Sequence, residues 1–206
     1  MAQISLFSSL FSRLARRQAP TAAPVRAAAL PMPAPSADPA IAWGAKVPDA
    51  FKRKTIALCR RLEMEPDHLM AIMAFETGRS FDPAITNRAG SGATGLIQFM
   101  PATAKALGTT TTRLAAMSAL EQLDYVEKYF APYAGRMGDL DSAYMAVLCP
   151  RAVGREPGYV LFRKGSVAYK LNRGLDANGD GRVTKAEAAA RVRALLAEGL
   201  RPGLIS

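Results

Sequence analysis

From Pro48 onward, apolar residues recur at spacings of three and four, the period of helices that bury one face. The two-residue alternation of a half-buried strand is weak. The pattern predicts helices over Pro48–Glu63, Pro66–Thr77, Pro101–Leu107, Ala119–Tyr133 and Leu140–Leu148, with a last one starting near Lys185. Gly78, Gly108 and Gly135 stand where helices should stop, and Pro66 suits a first helical turn. The expected fold class is therefore mostly α, with no internal repeat.

One position breaks this pattern. In the stretch EPDHLMAIMAFETGRSF, Leu69, Ile72 and Met73 share a helical face, and the next position on that face is Glu76. A carboxylate on an apolar stripe is costly unless it is hydrogen-bonded or neutral. Burial raises a carboxyl pKa, which is what a general acid working near neutral pH needs. Periodicity alone favours the plainer reading, a glutamate at a frayed helix end that reaches water.

The segment AGSGATGLIQFMPATA follows, over residues 89–104. Gly90, Gly92 and Gly95 fit the spacing GxGxxG, which marks a dinucleotide loop when it joins a strand to a helix in a βαβ unit. Here a helix and a Pro-containing loop precede it, and no ribose-binding acid follows a second strand. The nucleotide reading is rejected on that context.

Composition sets the outer bounds. The 206 residues are 50% hydrophobic and 21% charged, a globular balance able to form a core. The net charge of +10 and a pI of about 10.0 favour polyanionic partners such as nucleic acid, an anionic membrane or the cell wall, without choosing among them. Cys59, in phase with Phe51, Leu58 and Leu62, reads as a buried thiol; a single bridge to Cys149 stays open. With His68 the only histidine, a zinc site of the usual kind is not expected. Residues 1–45 differ from the rest and are expected to be disordered. Ala and Pro dominate from Ala19 to Ala42, and before them ISLFSSLFSRLARR places its arginines after its apolar residues. That order is the reverse of a secretory signal. No apolar run approaches the ~18 residues of a membrane span.

The run Gly92-Ala93-Thr94-Gly95-Leu96-Ile97-Gln98-Phe99-Met100-Pro101-Ala102-Thr103-Ala104, downstream of a helix-borne Glu76, carries a resemblance. It is similar to the catalytic core of soluble-lytic-transglycosylase-like domains, the goose-lysozyme-like glycoside hydrolase family 23. The Glu76-Thr77-Gly78 start and the later AYMAVLCPRAVG stretch resemble phage and prophage members. The resemblance spans roughly residues 46–190. It implies a lysozyme-like transglycosylase domain over 46–165, acting on peptidoglycan, with Glu76 as the catalytic acid/base and no cofactor for catalysis. It also implies that Ser91, Gln98, Met100 and Tyr144 bind substrate, Gln98 through a sugar amide or hydroxyl. Two positions depart from the family: Thr77 stands where Ser is common, keeping the hydroxyl, and Met145 stands where Asn is common after Ala143-Tyr144. From the residues alone, Tyr144 is as well explained as a core tyrosine on the face of Leu140, Val147 and Leu148, and Phe99 and Met100 as core packing.

Glycoside cleavage commonly uses two carboxyl groups. The nearest second acid here, Asp82, reads as a turn residue before Pro83, and Asp139 and Asp141 read as the cap and first-turn acids of the Leu140 helix. This scarcity favours a transglycosylase over a hydrolytic muramidase; a non-catalytic wall-binding or virion module is the further alternative. A monomer acting on glycan strands is expected, without nucleic acid. The site of action would be the periplasm or cell wall, reached through a phage particle, a lysis route or a specialised secretion system.

Residues 176–187 fit D-x-[DN]-x-[DN]-G-x5-E in full. Asp176, Asn178, Asp180, the Arg182 carbonyl, Thr184 and a bidentate Glu187 would supply oxygen ligands to a structural Ca2+, with Gly181 permitting the sharp turn. An EF-hand-like segment is therefore expected over 166–206, its entering helix short, near Val167–Leu171. A Thr184/Glu187 capping box on a plain helix start accounts for part of the same pattern.

Overall fold

The computed structural model describes residues 39–87 and 90–206. The amphipathic stretch at the N-terminus and almost all of the Ala/Pro-rich segment lie outside these described residues.

Helix α1, Asp49–Leu62, starts behind Pro48 with Asp49 in its first turn and ends where Glu63 turns left-handed. It buries Phe51, Ile56, Leu58, Cys59 and Leu62 along one face. Helix α2, Pro66–Glu76, is different. Every residue from Leu69 to Ala74 is buried, so it has no solvent face over that stretch and runs through the core. Short helices α3, Pro101–Ala106, and α4, Thr111–Ala115, follow. Helix α5, Ala119–Phe130, opens on a Ser118–Glu121 capping box, and α6, Leu140–Leu148, on an Asp139 side chain that accepts from the Ser142 N–H at 2.7 Å.

The predicted helices are all present, with ends shifted by a residue or so. Ala119–Tyr133 divides into α5 and a 3-10 turn over Ala131–Tyr133. Gly78, Gly108 and Gly135 all adopt positive φ at helix ends. Helix α4 and a small sheet are additions. Strand β1, Val160–Arg163, pairs antiparallel with β2, Arg182–Thr184, with an irregularity at Leu161. Between the strands lies α7, Val167–Asn172. Helix α8, Lys185–Gly199, leaves β2 through a Thr184–Glu187 capping box.

Helix α8 packs against both α2 and α6. Its Ala188, Ala189, Val192 and Leu195 join the core that holds Leu69–Ala74 and Tyr144, so residues 166–206 share one interior with the preceding domain. The start of the packed body also precedes residue 46. Ile41, Ala42 and Trp43 are buried, and the N–H groups of Ile41, Trp43 and Ala45 donate to Ser206, Gly199 and Leu204. The Trp43 indole donates to the Leu195 carbonyl at 3.0 Å. No helix among the described residues is long and apolar enough to cross a membrane. Cys59 and Cys149 are both buried free thiols, so the structure contains no bridge between them.

Candidate active site

Glu76 is the last residue of α2 and is only 4% exposed. Its helix stops there because the chain reverses. The Thr77 hydroxyl donates to the Met73 carbonyl at 2.6 Å and accepts from the Phe81 N–H at 3.0 Å, closing the turn on both sides. Gly78, Arg79 and Phe81 all have positive φ within that turn. Arg79 is held there by two hydrogen bonds to the Glu198 carboxylate of α8, at 2.9 and 2.7 Å. The Phe81 ring packs beside Trp43 and Phe51. The hydroxyl that the sequence keeps at position 77 thus builds the corner that fixes Glu76.

Burial raises the Glu76 carboxyl to about 8, and no neighbouring charge contributes to the shift. Its Oε1 is buried with no hydrogen-bond partner among the described residues. A carboxyl in this setting holds its proton at neutral pH and has an oxygen with nothing to bind. This decides between the two readings of Glu76: the side chain is enclosed, not at a frayed end in water.

Tyr144, on α6, lies beside it. Its ring meets Phe75 edge-on, with centroids 5.6 Å apart, and the Glu76 charge adds to burial in pushing the phenol well above its ordinary range. Tyr144 is thus a buried core residue whose neighbour is Glu76. Met145 is wholly buried.

The Gly90–Pro101 segment folds back on itself. Thr94 and Phe99 exchange two backbone hydrogen bonds, of 3.1 and 2.8 Å. The Asn87 and Gly95 N–H groups donate to the Ala93 and Ile85 carbonyls, so the chain that follows α2 forms one side of the loop. A Cβ on Gly92 would stand 3.3 Å from the Pro101 ring, so the start and end of the loop approach each other there. The Ser91 hydroxyl accepts from the Ala93 N–H at 3.3 Å, and Met100 is half-buried as the cap of α3. Phe99 is core, edge-on to Tyr129.

Gln98 is more enclosed than a surface sugar contact. It is buried at a φ of 51°, and its amide nitrogen donates to the Gly95 and Ile85 carbonyls at 3.1 and 3.3 Å. Its Oε1 is buried without a partner among the described residues. The side chain holds the loop and offers one acceptor.

Gln122 was not singled out from the sequence. Its Oε1 accepts from the Leu96 N–H at 2.9 Å, and its Nε2 donates to Pro83 and Leu114 at 2.7 Å each. One amide thus ties the loop, the chain after α2 and the end of α4 together. It sits on the α5 stripe with Val126 and Phe130, so the signal was the same as for Glu76: a polar residue in an apolar phase. Asp82 is exposed and accepts from the Ala84 N–H at 2.8 Å, as a turn residue does. A cavity of about 350 Å³ beside α1, lined by Ile56, Cys59, Met64 and Pro66 among others, contains none of these site residues.

In the 176–187 loop, the carboxylates and the Asn178 amide face backbone N–H groups. Asp176 accepts from Gly179 and Gly181, Asn178 from Asp180, and Asp180 from Arg182, all at 2.8–2.9 Å. Asp176 also accepts from the Tyr169 hydroxyl at 2.6 Å. Glu187 reaches back to the Ala177 N–H at 3.3 Å while capping α8 through Thr184. Among the described residues, no three His, Cys, Asp or Glu side chains gather closely enough to hold a metal ion.

No curated protein and no solved structure matches the chain. Residues 55–135 match the family model described as the transglycosylase SLT domain, a stretch from α1 through Glu76 and the Gly90–Pro101 loop to just beyond α5, and this supports a lytic-transglycosylase, lysozyme-like family for it.

Proposed function

We propose that this protein is a peptidoglycan lytic transglycosylase that cleaves the bond between N-acetylmuramic acid and N-acetylglucosamine, with Glu76 as its single acid/base. The observation that carries this reading is the buried carboxyl of Glu76, raised to about 8 by burial alone, in a chain segment matching the transglycosylase SLT model. Protonated Glu76 gives its proton to the bridging oxygen as the glycosidic bond breaks. The carboxylate then takes the proton of the muramic 6-hydroxyl, whose oxygen bonds to the anomeric carbon of its own sugar. The product is a 1,6-anhydro end, and no water is consumed. An intramolecular nucleophile has a high effective concentration, which compensates for the absence of an activated water. A hydrolase of the two-carboxylate kind would need a second acid facing Glu76, and the nearest in sequence, Asp82, is exposed and accepts from the Ala84 N–H of its own turn.

Ser91, Met100 and the free acceptor of Gln98 lie on the loop that would receive the glycan, with Tyr144 beside the acid. Digestion of purified peptidoglycan tests the reading. The expected products are anhydro-muropeptides, lost by roughly 10²–10⁴-fold in Glu76→Gln. Products with reducing ends only would make it a hydrolase, and intact glycan would make it a binding module. The substrate places its action in the periplasm or cell wall.

The 176–187 loop is proposed to take a structural Ca2+. Its donor set is all oxygen, and the hydrogen bond from the Ala177 N–H to Glu187 brings the loop's last ligand back to the residue after its first. Held by Asp176, Asn178, Asp180, Arg182, Thr184 and Glu187, the ion would fix the start of α8, the helix packed on α2.

A further inference from the structure

The two most exposed large apolar side chains among the described residues stand on one helix face. Val167 is 69% exposed and Leu171 48%, four residues apart on α7. Exposed cations surround them. Arg163 and Lys164 end β1 and enter its turn, Lys170 lies on α7 itself, Arg173 follows it, and Arg182 is on β2. Helix α7 packs on both strands, which sets the strand ends that carry Arg163 and Arg182 beside the helix that carries Val167 and Leu171. Among the described residues none of the five cations forms an ion pair or a side-chain hydrogen bond. Arg163 and Arg182 are direct register partners across the strand pair. Like charges so placed repel and weaken the sheet. Asp176 and Asp180 lie nearby and keep their charge, but they accept from Tyr169 and from loop N–H groups and form no ion pair with these cations among the described residues.

We infer that this α7–hairpin face is a docking surface for an anionic phospholipid membrane. The pairing of chemistries selects the partner. Aliphatic side chains inside a ring of cations match the boundary of a bilayer, where the apolar groups enter the acyl region and the cations meet headgroup phosphates. A soluble polyanion would engage the cations and leave Val167 and Leu171 in water. A single-stranded nucleic acid or a sugar ring stacks on a free aromatic face, and the one aromatic on α7, Tyr169, is half-buried with its hydroxyl committed to Asp176. The surface lies outside the residues 55–135 matched to the transglycosylase model and does not depend on the proposed activity.

The test is co-sedimentation of the full chain with phosphatidylcholine vesicles, with and without phosphatidylglycerol, at low and high salt. Binding is expected only with the anionic lipid and should weaken with salt. Val167→Ser combined with Leu171→Ser, and separately Arg163→Glu, should each weaken it about tenfold. Arg163→Glu replaces a repulsive cross-strand pair with an attractive one, so its melting temperature should hold or rise while binding falls; glycan cleavage should be unchanged in both variants. Lys164→Glu with Lys170→Glu serves as a second charge variant that leaves the strands untouched. Three results would overturn the inference. One is no dependence on phosphatidylglycerol. Another is binding that persists in all the variants, which assigns it elsewhere in the chain. The third is binding lost with the charges, unaffected by Val167→Ser/Leu171→Ser and competed equally by double-stranded DNA, which makes the face a site for soluble polyanions.

Discussion

Replacing Glu76 by Gln should leave stability almost unchanged near pH 5 and raise it near pH 8. The carboxyl has an ordinary value of 4.5 and is raised by burial to about 8 in the folded protein. Between those two values the folded state holds a proton that the unfolded state has lost. Stability therefore falls as pH rises through that window and levels off above it. Each pH unit is worth about 1.4 kcal/mol, so at pH 7, some 2.5 units into the window, Glu76 costs about 3 kcal/mol. Glutamine has nearly the same shape and does not titrate, so its variant escapes that cost. For a body of this size the difference corresponds to roughly 6–12 °C in melting temperature at pH 7. Thermal and urea unfolding of both proteins from pH 4 to pH 9 would measure it. A difference between wild type and Glu76→Gln that does not change with pH would refute the reasoning, because it would mean that Glu76 titrates as a solvated carboxylate. A catalytic acid placed by burial would then be lost with it.

Other consequences can be checked separately. Glycan cleavage by the wild type should decline as pH rises through about 8, where Glu76 gives up the proton it must donate; a rate that climbs through that range would assign the acid elsewhere. Gly95 has a φ of +82° and its added Cβ would run into the buried Gln122 amide, so Gly95→Ala should cost about 2–4 kcal/mol in urea unfolding. Arg79 and Glu198 pair at a largely exposed edge, so Arg79→Ala should cost at most about 1 kcal/mol, and a double-mutant cycle with Glu198→Ala should show that the two losses are not additive. Calcium should raise the melting temperature, chelation should reverse this, and Asp176→Ala should abolish the response; equal melting temperatures in calcium and chelator would remove the ion from the loop.

Local pattern carried much of this protein into view. Helices α1, α2, α5, α6 and α8 are legible because their boundaries rest on neighbours in sequence: Pro at first turns, Ser118 and Asp139 as caps, glycines at the ends. Glu76 was legible as an anomaly for the same reason, since its phase among Leu69, Ile72 and Met73 is a property of the chain alone. The capping box at Thr184 and Glu187 likewise needs only three residues.

What the sequence left open depended on partners far away along the chain. Whether Glu76 reaches water could not follow from its phase, because the helices that enclose α2, namely α1, α6 and α8, come from both sides of it in sequence. The depth of that enclosure, and the raised carboxyl that follows, is a tertiary property. That Gln98, expected to bind a sugar amide or hydroxyl, also holds Ile85 and Gly95 through its amide nitrogen follows only from the fold, as does the meeting of three segments at Gln122. The boundary expected at residue 45 followed composition and the one at 166 followed the 176–187 loop motif, yet Trp43 packs under α8 and α8 packs on α2. Composition changes where a linker becomes soluble, but a packed body ends only where burial ends. The residues thus determined, by themselves, which helices form and which carboxylate is out of place. Tertiary burial alone decided that this carboxylate keeps its proton, because the cost of desolvating a charge is set by everything packed around it.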